Sequence, residues 1–357
     1  MKKSILSLLA VAAMVSCTQN DVTDQSQSEI RFRSTTLSID ALTRAPFEGD
    51  IDDAASNSLT ALVLGKLQAT TDYTAATAYS NGTMIFKDET TAVGYEATGF
   101  AGKTYYPANG DQLDFVALYP ATGWGSITST AAFTFTGCED VMAAAQQSAT
   151  KATVTPPAFV FNHMLTKLDI VLKAEDQAAI DAWGKINKIE LVKANGMNPN
   201  TKVEVTLSTA VAAVGNFATS VTNFSCYEMS ATGTGTAVDP YVKAYTDDAY
   251  SGKTYALTTD PVFQAYSLVA PITADGTADF TFRVYAEGAP AVTVSGTTEK
   301  YLDVDVDLKK SGTAYTGYTQ GKAFTITLLF KAKTITATAD VTGWNTDDAD
   351  NDETVIE

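Results

Sequence analysis

Residues with the type and spacing that catalysis needs are scarce in this sequence. The 357-residue chain contains one histidine, His163, and three cysteines. Zinc sites of the HExxH type and other multi-histidine centres need more of these ligands than the chain supplies. His163 stands at the start of a predicted strand, and we interpret it as a hydrogen-bonded structural residue. The sequence therefore predicts no catalytic residue, no metal site and no cofactor.

Three aspartates spaced two residues apart are the best candidate metal ligands. Asp303, Asp305 and Asp307 alternate with apolar residues, which predicts that all three lie on one face of a β-strand. Same-face neighbours on a strand are about 7 Å apart, too far to share one ion well. We therefore interpret these carboxylates as the solvent-facing side of a strand. The acidic run 348–352 begins like a calcium loop, but Glu353 stands where that loop needs glycine, so we interpret it as a solvated tail.

Two Gly-Lys-Thr tripeptides invite comparison with phosphate-binding loops. The P-loop needs a further glycine five residues before the glycine that precedes its lysine. Ala97 stands there for the tripeptide that ends at Thr104, and Asp247 for the one that ends at Thr254. Both fail as nucleotide sites. Because the chain has 41 Asp and Glu residues, a carboxylate-pair hydrolase stays open, but we predict that the chain is not an enzyme.

The overall charge excludes one class of partner. The chain carries 24 Lys and Arg against 41 Asp and Glu, a net charge of −17. A nucleic-acid-binding protein needs a basic surface that neutralises phosphates, so we expect no nucleic-acid partner. A hydrophobic fraction of 45% and a charged fraction of 18% are typical of a folded chain.

The N-terminus has the pattern of an export signal. Lys2 and Lys3 precede an apolar run over residues 5–15, and a serine and Cys17 follow it. This pattern is typical of a secretory signal, and the run is too short to span a membrane. Cys17 stands where a bacterial lipoprotein carries its lipidated cysteine, which bears palmitate. We predict a lipoprotein signal over residues 1–17; the alternative is an ordinary cleaved signal with an incidental cysteine.

The other two cysteines are Cys138 and Cys226. A disulfide would need their Cα atoms within about 7 Å of each other, and we expect the two residues to lie in different domains. The sequence leaves their pairing open and favours two unpaired thiols.

Alternating apolar and polar residues predict that most of the chain is β-structure. Such alternation over four to eight residues is typical of strands with one buried face. Clear examples are 113–119, 165–172, 186–192, 202–207, 280–285, 301–308, 324–330 and 334–341. A short stretch at about 175–183 has helical character. The predicted fold class is all-β.

A weak internal repeat suggests two domains of related design. The sequence Gly-Lys-Thr-Tyr ends at Tyr105 and again at Tyr255, and each copy is followed by a similar apolar strand, at 115–119 and at 263–266. A repeat of this length favours two sandwich-like units joined near residues 175–185.

Several motifs, taken in order, resemble the fimbrillins, which are type V pilins of Bacteroidota related to the major and minor fimbrial subunits of that phylum. The first is the signal that ends at Cys17. The others are the strand 30–39 followed by Ala41-Leu42-Thr43-Arg44-Ala45-Pro46, the strand Phe115-Val116-Ala117-Leu118-Tyr119-Pro120, the segment Phe161-Asn162-His163-Met164-Leu165-Thr166-Lys167-Leu168, and the close formed by Gly317-Tyr318-Thr319, 324–330 and 335–344.

The resemblance implies a fold and a domain plan. The fold is two transthyretin-like β-sandwich domains with Greek-key-type sheets. Beyond the signal, the implied plan is a pro-segment with a removable N-terminal strand at 18–44, an N-terminal sandwich at 45–180, a C-terminal sandwich at 181–345 and an acidic tail at 346–357.

The resemblance also implies how the chain matures. A fimbrillin is exported as a lipoprotein to the outer membrane and then cut by a trypsin-like arginine protease, which frees it for the extracellular pilus. The matching bond here is Arg44–Ala45. Arg31 and Arg33 are other candidates, but they lie inside a predicted strand.

Assembly by strand exchange is the function that the resemblance implies. Before cleavage, we expect Ile30, Phe32, Leu37 and Ile39 to fill a groove in the first sandwich. After cleavage, a strand from another pilin subunit would replace them. The C-terminal candidates for a donated strand are Thr354, Val355 and Ile356, which make a short donor. This favours a tip or accessory subunit, with a host or bacterial surface ligand; the strand that ends near Val341 is a second candidate donor.

A different class stays open beside the pilus subunit. The chain could be a surface lipoprotein that binds carbohydrate or a host ligand without polymerising. Trp124, Tyr105 and Tyr106 are candidates for a sugar platform, although packing is the favoured interpretation of each. Arg44 distinguishes the two classes, because only a pilin needs that cut.

Overall fold

The structure is a computed structural model. It describes residues 30, 33–34, 39–40, 48–49, 59–74, 78–86, 95–98, 105–137, 139–153, 158–213, 224–225, 227–229, 242–244, 255–310, 312–332 and 334–342. Cys17, Cys138, Cys226, both Gly-Lys-Thr tripeptides and the acidic tail lie outside these ranges.

The described part of the chain up to residue 174 consists of short and medium strands. They are β1 (Arg33–Ser34), β2 (Ile39–Asp40), β3 (Glu48–Gly49), β4 (Leu59–Leu67), β5 (Ala78–Phe86), β6 (Tyr95–Thr98), β7 (Leu113–Tyr119), β8 (Trp124–Ile127), β9 (Thr130–Thr134), β10 (Met142–Ala149), β11 (Ala158–Phe159), β12 (Phe161–His163) and β13 (Thr166–Ala174).

The rest of the described chain adds a short helix and further strands. They are α1 (Gln177–Trp183), β14 (Lys185–Ala194), β15 (Lys202–Thr206), β16 (Val211–Ala212), β17 (Phe224–Ser225), β18 (Tyr227–Met229), β19 (Val242–Ala244), β20 (Tyr255–Ala256), β21 (Val262–Val269), β22 (Thr273–Ala274), β23 (Phe280–Ala286), β24 (Ala291–Val294), β25 (Thr297–Val306), β26 (Leu308–Lys310), β27 (Thr313–Ala314), β28 (Gly317–Tyr318), β29 (Ala323–Phe330) and β30 (Ile335–Thr342). The predicted all-β class is confirmed.

The first sandwich pairs a six-stranded sheet with a four-stranded sheet. The six-stranded sheet has the antiparallel order β12-β10-β7-β4-β5-β6, and the four-stranded sheet has the order β16-β15-β9-β8. Leu64 and Val116 of the larger sheet share one core with Phe133 and Val203 of the smaller one. The alternation of side chains along each strand places these residues on the faces that meet.

The second sandwich is built from an eight-stranded and a six-stranded sheet. Their orders are β19-β18-β21-β13-β29-β30-β26-β27 and β17-β14-β23-β25-β24, and β20 also pairs with β14. Inside the larger sheet β13 and β29 run parallel, from Lys167 opposite Ala323 to Ala174 opposite Phe330. The same continuous core runs through both sandwiches.

Helix α1 connects β13 to β14. Its N-cap is Asp176, whose Oδ1 accepts a hydrogen bond from the backbone N–H of Ala179 at 2.8 Å. It ends at Gly184, whose φ of 64° favours glycine. Trp183 packs edge-on against Phe330, with ring centroids 5.6 Å apart. The helix predicted at about 175–183 is therefore confirmed.

The predicted domain boundary after residue 180 does not coincide with the division of the strands between the two sandwiches. Strand β13 precedes that boundary but lies in a sheet of the second sandwich, whereas β15 and β16 follow it but lie in the four-stranded sheet of the first. The domain bounds stay a prediction. Within the described ranges, no helix has the length and apolar character needed to cross a membrane.

Candidate functional site

The six-stranded sheet of the first sandwich buries a second apolar face, opposite the four-stranded sheet. We call the residues of this face and those that cover it the outer cluster. Its buried members are Ile30, Leu59, Ala61, Val63, Met84, Tyr106, Leu113, Phe115, Ala117, Met142, Ala144, Ala149, Phe159 and Phe161. A sheet with two apolar faces needs a cover on both.

Strand β7 shows how the sequence makes both faces apolar. Leu113, Phe115 and Ala117 belong to the outer cluster, while the alternate residues Val116 and Leu118 belong to the core between the sheets. The predicted strand is confirmed, but the prediction of one solvent-facing side is wrong here, because the strand is buried on both faces.

Ile30 lies in the outer cluster and is only 4% exposed. The strand that follows it, β1, pairs in parallel with β11, with Arg33 opposite Ala158 and Ser34 opposite Phe159. Burying an isoleucine of this kind stabilises the fold by about 1.5–3 kcal/mol. A segment that precedes Arg44 in the chain therefore forms part of the cover of this face.

Arg44 and Ala45 lie outside the described residues, as do Phe32 and Leu37. The described residues nearest to Arg44 in sequence are Asp40, which ends β2, and Glu48, which begins β3. These two strands pair antiparallel, with Ile39 opposite Gly49 and Asp40 opposite Glu48. In sequence, Arg44 stands within the connection between these two strands. Of the alternative cleavage positions, Arg33 lies within a paired strand.

His163 lies at one end of the same sheet. Its Nδ1 is 3.0 Å from Asp140 Oδ1, and both side chains are buried. Strand β12 places His163 opposite Met142, whose neighbour in the sheet is Tyr119. Burial, and secondarily the Asp140 carboxylate, raise the pKa of Tyr119 to about 12. The hydrogen-bonded, buried environment agrees with the structural interpretation of His163.

The three alternating aspartates each have a separate hydrogen-bond donor. Arg283 binds both carboxylate oxygens of Asp303, at 2.7 and 2.8 Å. Thr281 Oγ1 donates to Asp305 at 2.7 Å, and the backbone N–H of Ala278 donates to Asp307 at 2.7 Å. The predicted solvent-facing strand is confirmed, and no cluster of three or more potential metal ligands occurs within the described ranges.

The three aromatic residues proposed as a sugar platform do not form one surface. Tyr106 is buried in the outer cluster, and burial raises its pKa to about 12. Trp124 is half-buried, donates from Nε1 to the carbonyl of Pro120 at 2.7 Å and packs edge-on against Phe133. Tyr105 is 45% exposed. The favoured packing interpretation therefore holds for Tyr106 and Trp124.

A buried ion pair in the first sandwich was missed by sequence reasoning. Lys66 on β4 lies opposite Asp114 on β7, with Nζ 3.1 Å from Oδ2. Lys66 also donates to the carbonyl of Thr70 at 2.9 Å, and Ser148 donates to Asp114 at 2.6 Å. The signal for this pair is a charged residue at the edge of each of two apolar runs.

The C-terminal candidate donors differ in what the structure describes. Thr354, Val355 and Ile356 lie outside the described residues. The other candidate, β30, pairs with β29 along its full length and with β26 on its other side. It ends with Thr342 opposite Ala323, at the end of the sheet where β13 begins.

Comparison with known proteins gives consistent results. The sequence model of a family described as fimbrillin-like matches residues 43–344. A curated relative, "Putative fimbrium subunit Fim1C" of Bacteroides uniformis, is 34% identical over 108 residues. That match covers 29% of this chain and 36% of the relative, so the chain matches about a third of the relative's length.

Two solved structures from Bacteroides species align with most of this chain. A "putative cell adhesion protein" from Bacteroides uniformis has a TM-score of 0.52 at 18% identity, covering 90% of this chain and 100% of the other. Another, from Bacteroides ovatus, has a TM-score of 0.49 at 14% identity, covering 90% and 99%. The first of these likenesses shows a shared β-sandwich fold.

Proposed function

The chain belongs to the fimbrillin-like family, and from this premise we propose that it is a subunit of a cell-surface fimbria that matures by a cut after Arg44 and assembles by strand exchange. The partners are other pilin subunits and a trypsin-like arginine protease. The precursor reaches the outer membrane with a lipid on Cys17. The cut lies beyond Cys17 in the chain, so it separates the mature subunit from the lipid.

The burial of Ile30 in the outer cluster is the observation that supports this proposal. Ile30 and β1 precede Arg44, so a cut there breaks their covalent link to the rest of the chain. Loss of the segment would remove Ile30 from the outer cluster, and would free backbone N–H and C=O groups of β11. An exposed apolar strip beside an unpaired strand favours the addition of a strand from another chain.

A tip or accessory position fits the C-terminal half better than a stalk position. A stalk subunit must both accept and donate a strand. Strand β30 is hydrogen-bonded on both sides, so its release would break two ladders. The other candidate donor, residues 354–356, follows an acidic run, and acidic residues bind apolar grooves poorly. A subunit that accepts a strand without donating one needs neither segment.

A second candidate function is a non-polymerising surface lipoprotein that binds carbohydrate. It is favoured by an open, hydroxyl-rich concavity of about 360 Å³ on the four-stranded sheet. Its polar lining side chains are Ser126, Thr128, Thr130, Thr134, Lys202 and Glu204. This function needs no cut at Arg44, so the maturation experiment separates the two candidates.

The test uses full-length protein with Cys17→Ser, treated with a trypsin-like arginine protease. Intact mass spectrometry locates the cut, and unboiled gel electrophoresis reports assembly. We expect one cut after Arg44, loss of residues 1–44 and a rise in binding of an apolar dye as the outer cluster opens. The Arg44→Gln variant should stay intact, whereas the matched Arg33→Gln variant should be cut normally.

The outcomes separate three roles. A cut followed by heat-labile oligomers indicates a self-polymerising pilin. A cut that leaves a monomer, which oligomerises when another pilin is added, indicates a tip or accessory subunit. A folded chain that resists the protease at Arg44 would overturn the maturation proposal and favour the carbohydrate-binding lipoprotein.

A further inference from the structure

A short segment before β29 makes hydrogen bonds to three separate parts of the molecule. We call this segment, residues 317–322, the clamp; β28 forms its first two residues. Its targets are the crossover 163–167 between β12 and β13, the loop and strand at 210–212 in the four-stranded sheet, and residues 272–273 in the second sandwich. Two of the motifs quoted for the family resemblance, far apart in sequence, meet at this place.

Thr319 forms the buried centre of the clamp. The hydroxyl of Thr166 donates to the carbonyl oxygen of Thr319 at 2.8 Å. The backbone N–H of Ile272 donates to Thr319 Oγ1 at 2.9 Å, and the backbone N–H of Thr319 donates to the carbonyl of Ile272 at 3.0 Å. Both threonines are fully buried. Thr319 thus anchors the clamp within the second sandwich, where it joins the start of β13 to Ile272.

Gln320 connects the clamp to the first sandwich. Its Oε1 accepts from the backbone N–H of Ala212 at 2.9 Å, and its Nε2 donates to the carbonyl of Ala210 at 3.2 Å. Beside it, the hydroxyl of Tyr318 donates to the carbonyl of Ala212. Burial raises the pKa of Tyr318 to about 12, so this hydroxyl stays protonated and keeps donating at neutral pH.

The end of the clamp sets the start of the parallel strand pair. The backbone N–H of Gly321 donates to the carbonyl of Leu165 at 3.0 Å, and that of Lys167 donates to the carbonyl of Lys322 at 2.9 Å. Gly321 has a φ of +65°, and a Cβ there would lie 3.3 Å from the carbonyl oxygen of His163. Directly after these contacts, Lys167 pairs with Ala323 and the two strands run on together.

We infer that the clamp joins the two sandwiches into a single cooperative unit, so that neither opens without the other. Thr319 is buried and the side chains of Tyr318 and Gln320 are partly buried, and an unpaired donor or acceptor in such surroundings is costly. Separating the sandwiches would break the bonds of Gln320 and Tyr318 to Ala210 and Ala212, and would leave the amide of Ala212 without its partner. The bonds are directional, so they also hold the sheets in one relative orientation. This inference concerns the uncleaved chain and does not depend on the proposed assembly.

Native-state hydrogen exchange tests the coupling. The full chain with Cys17→Ser is followed by mass spectrometry on peptides that cover β7 in the first sandwich and β23 in the second. In the otherwise unchanged protein, we expect both peptides to exchange through one opening with the same dependence on denaturant. In Tyr318→Phe with Gln320→Ala, which removes the side-chain hydrogen bonds to Ala210 and Ala212, we expect separate openings, with about tenfold faster exchange in at least one sandwich.

Controls keep the test decisive. Gln68→Ala replaces an exposed glutamine after β4 and should leave the common opening unchanged. Thr319→Ser keeps the hydroxyl and should also leave the common opening unchanged. If the double variant fails to fold, Gln320→Ala alone replaces a partly buried side chain and should still separate the openings. The inference would be overturned if the two sandwiches opened independently in the protein with an unmodified clamp. It would also be overturned if they kept a common opening both in the double variant and in Gln320→Ala.

Discussion

The two six-stranded sheets of this protein treat their outer faces in opposite ways. In the second sandwich, β23 and β25 present Arg283 bound to Asp303 and Thr281 bound to Asp305. In the first sandwich, β7 presents Leu113 and Phe115 to the outer cluster. The outer face of the second sandwich carries polar side chains that are hydrogen-bonded to one another. The outer face of the first sandwich is apolar and must be covered by other residues.

This difference shows where a removable segment can act. Removing a segment from a polar face exposes groups that water solvates well. Removing Ile30 from the outer cluster would expose apolar surface, at a cost of about 25 cal/mol per Å². In the proposed assembly, that cost would favour capture of a replacement strand in the first sandwich rather than in the second.

The largest expected effect comes from emptying each core of one aromatic ring. Phe115→Ala in the outer cluster and Phe282→Ala in the second sandwich remove fully buried rings. Each should lower the free energy of unfolding of the uncleaved chain by about 3–5 kcal/mol, measured by urea denaturation. After cleavage and loss of residues 1–44, the cost of Phe115→Ala should fall while that of Phe282→Ala stays. Equal costs in the two forms for Phe115→Ala would remove the distinction between the sheets.

An intermediate effect concerns alkaline pH. Burial raises the pKa of Tyr106 from 10.0 to about 12. The unfolded chain therefore loses this proton first, so the stability that Tyr106 contributes is complete below pH 10 and is lost between pH 10 and about 12. Tyr106→Phe should lose less stability across this window than the unchanged chain, as measured by alkaline denaturation.

Cleavage should change the pKa of Tyr106 and leave that of Tyr318 unchanged. Tyr318 in the clamp also has a pKa raised to about 12 by burial. Ultraviolet titration of tyrosinate, taken as the difference between the unchanged chain and its Tyr106→Phe or Tyr318→Phe variant, should show that the pKa of Tyr106 moves toward its ordinary value once residues 1–44 leave, whereas that of Tyr318 stays raised. A pKa of Tyr106 that does not change on cleavage would mean that the N-terminal segment is not its cover.

The smallest effect is expected on the polar face. Asp303→Asn weakens the bidentate ion pair with Arg283 at a partly exposed site. The expected loss is about 0.2–1 kcal/mol of unfolding free energy, and it should shrink at high salt. Asp305→Asn is the matched control, since its partner is an uncharged threonine. A loss of several kcal/mol for Asp303→Asn would show that this face does not behave as a solvent-exposed polar surface.

Local patterns in the sequence predicted many elements with good bounds. The strand expected at 280–285 is β23 (Phe280–Ala286), and that expected at 202–207 is β15 (Lys202–Thr206). The helix expected at 175–183 is α1 (Gln177–Trp183). These succeeded because a two-residue period, or a cap such as Asp176, acts between neighbours in the chain.

The partners of those strands could not be predicted in the same way. Nothing local to Thr166–Ala174 indicates that it lies between β21 and β29, or that Lys202–Thr206 pairs with β9. The pairing of Lys66 with Asp114 and of Thr166 with Thr319 was missed for the same reason. Each depends on residues brought together from distant parts of the chain.

Patterns within the sequence thus predict the strand content, the polar face of β25, the structural role of His163 and the family resemblance. Three features come from tertiary contacts instead: the first six-stranded sheet is apolar on both faces, Ile30 forms part of the cover of one face, and the clamp contacts both sandwiches. Alternation along a strand states which side chains share a face, but what lies against that face is a contact between distant segments, and such contacts are set by the packing of the whole chain.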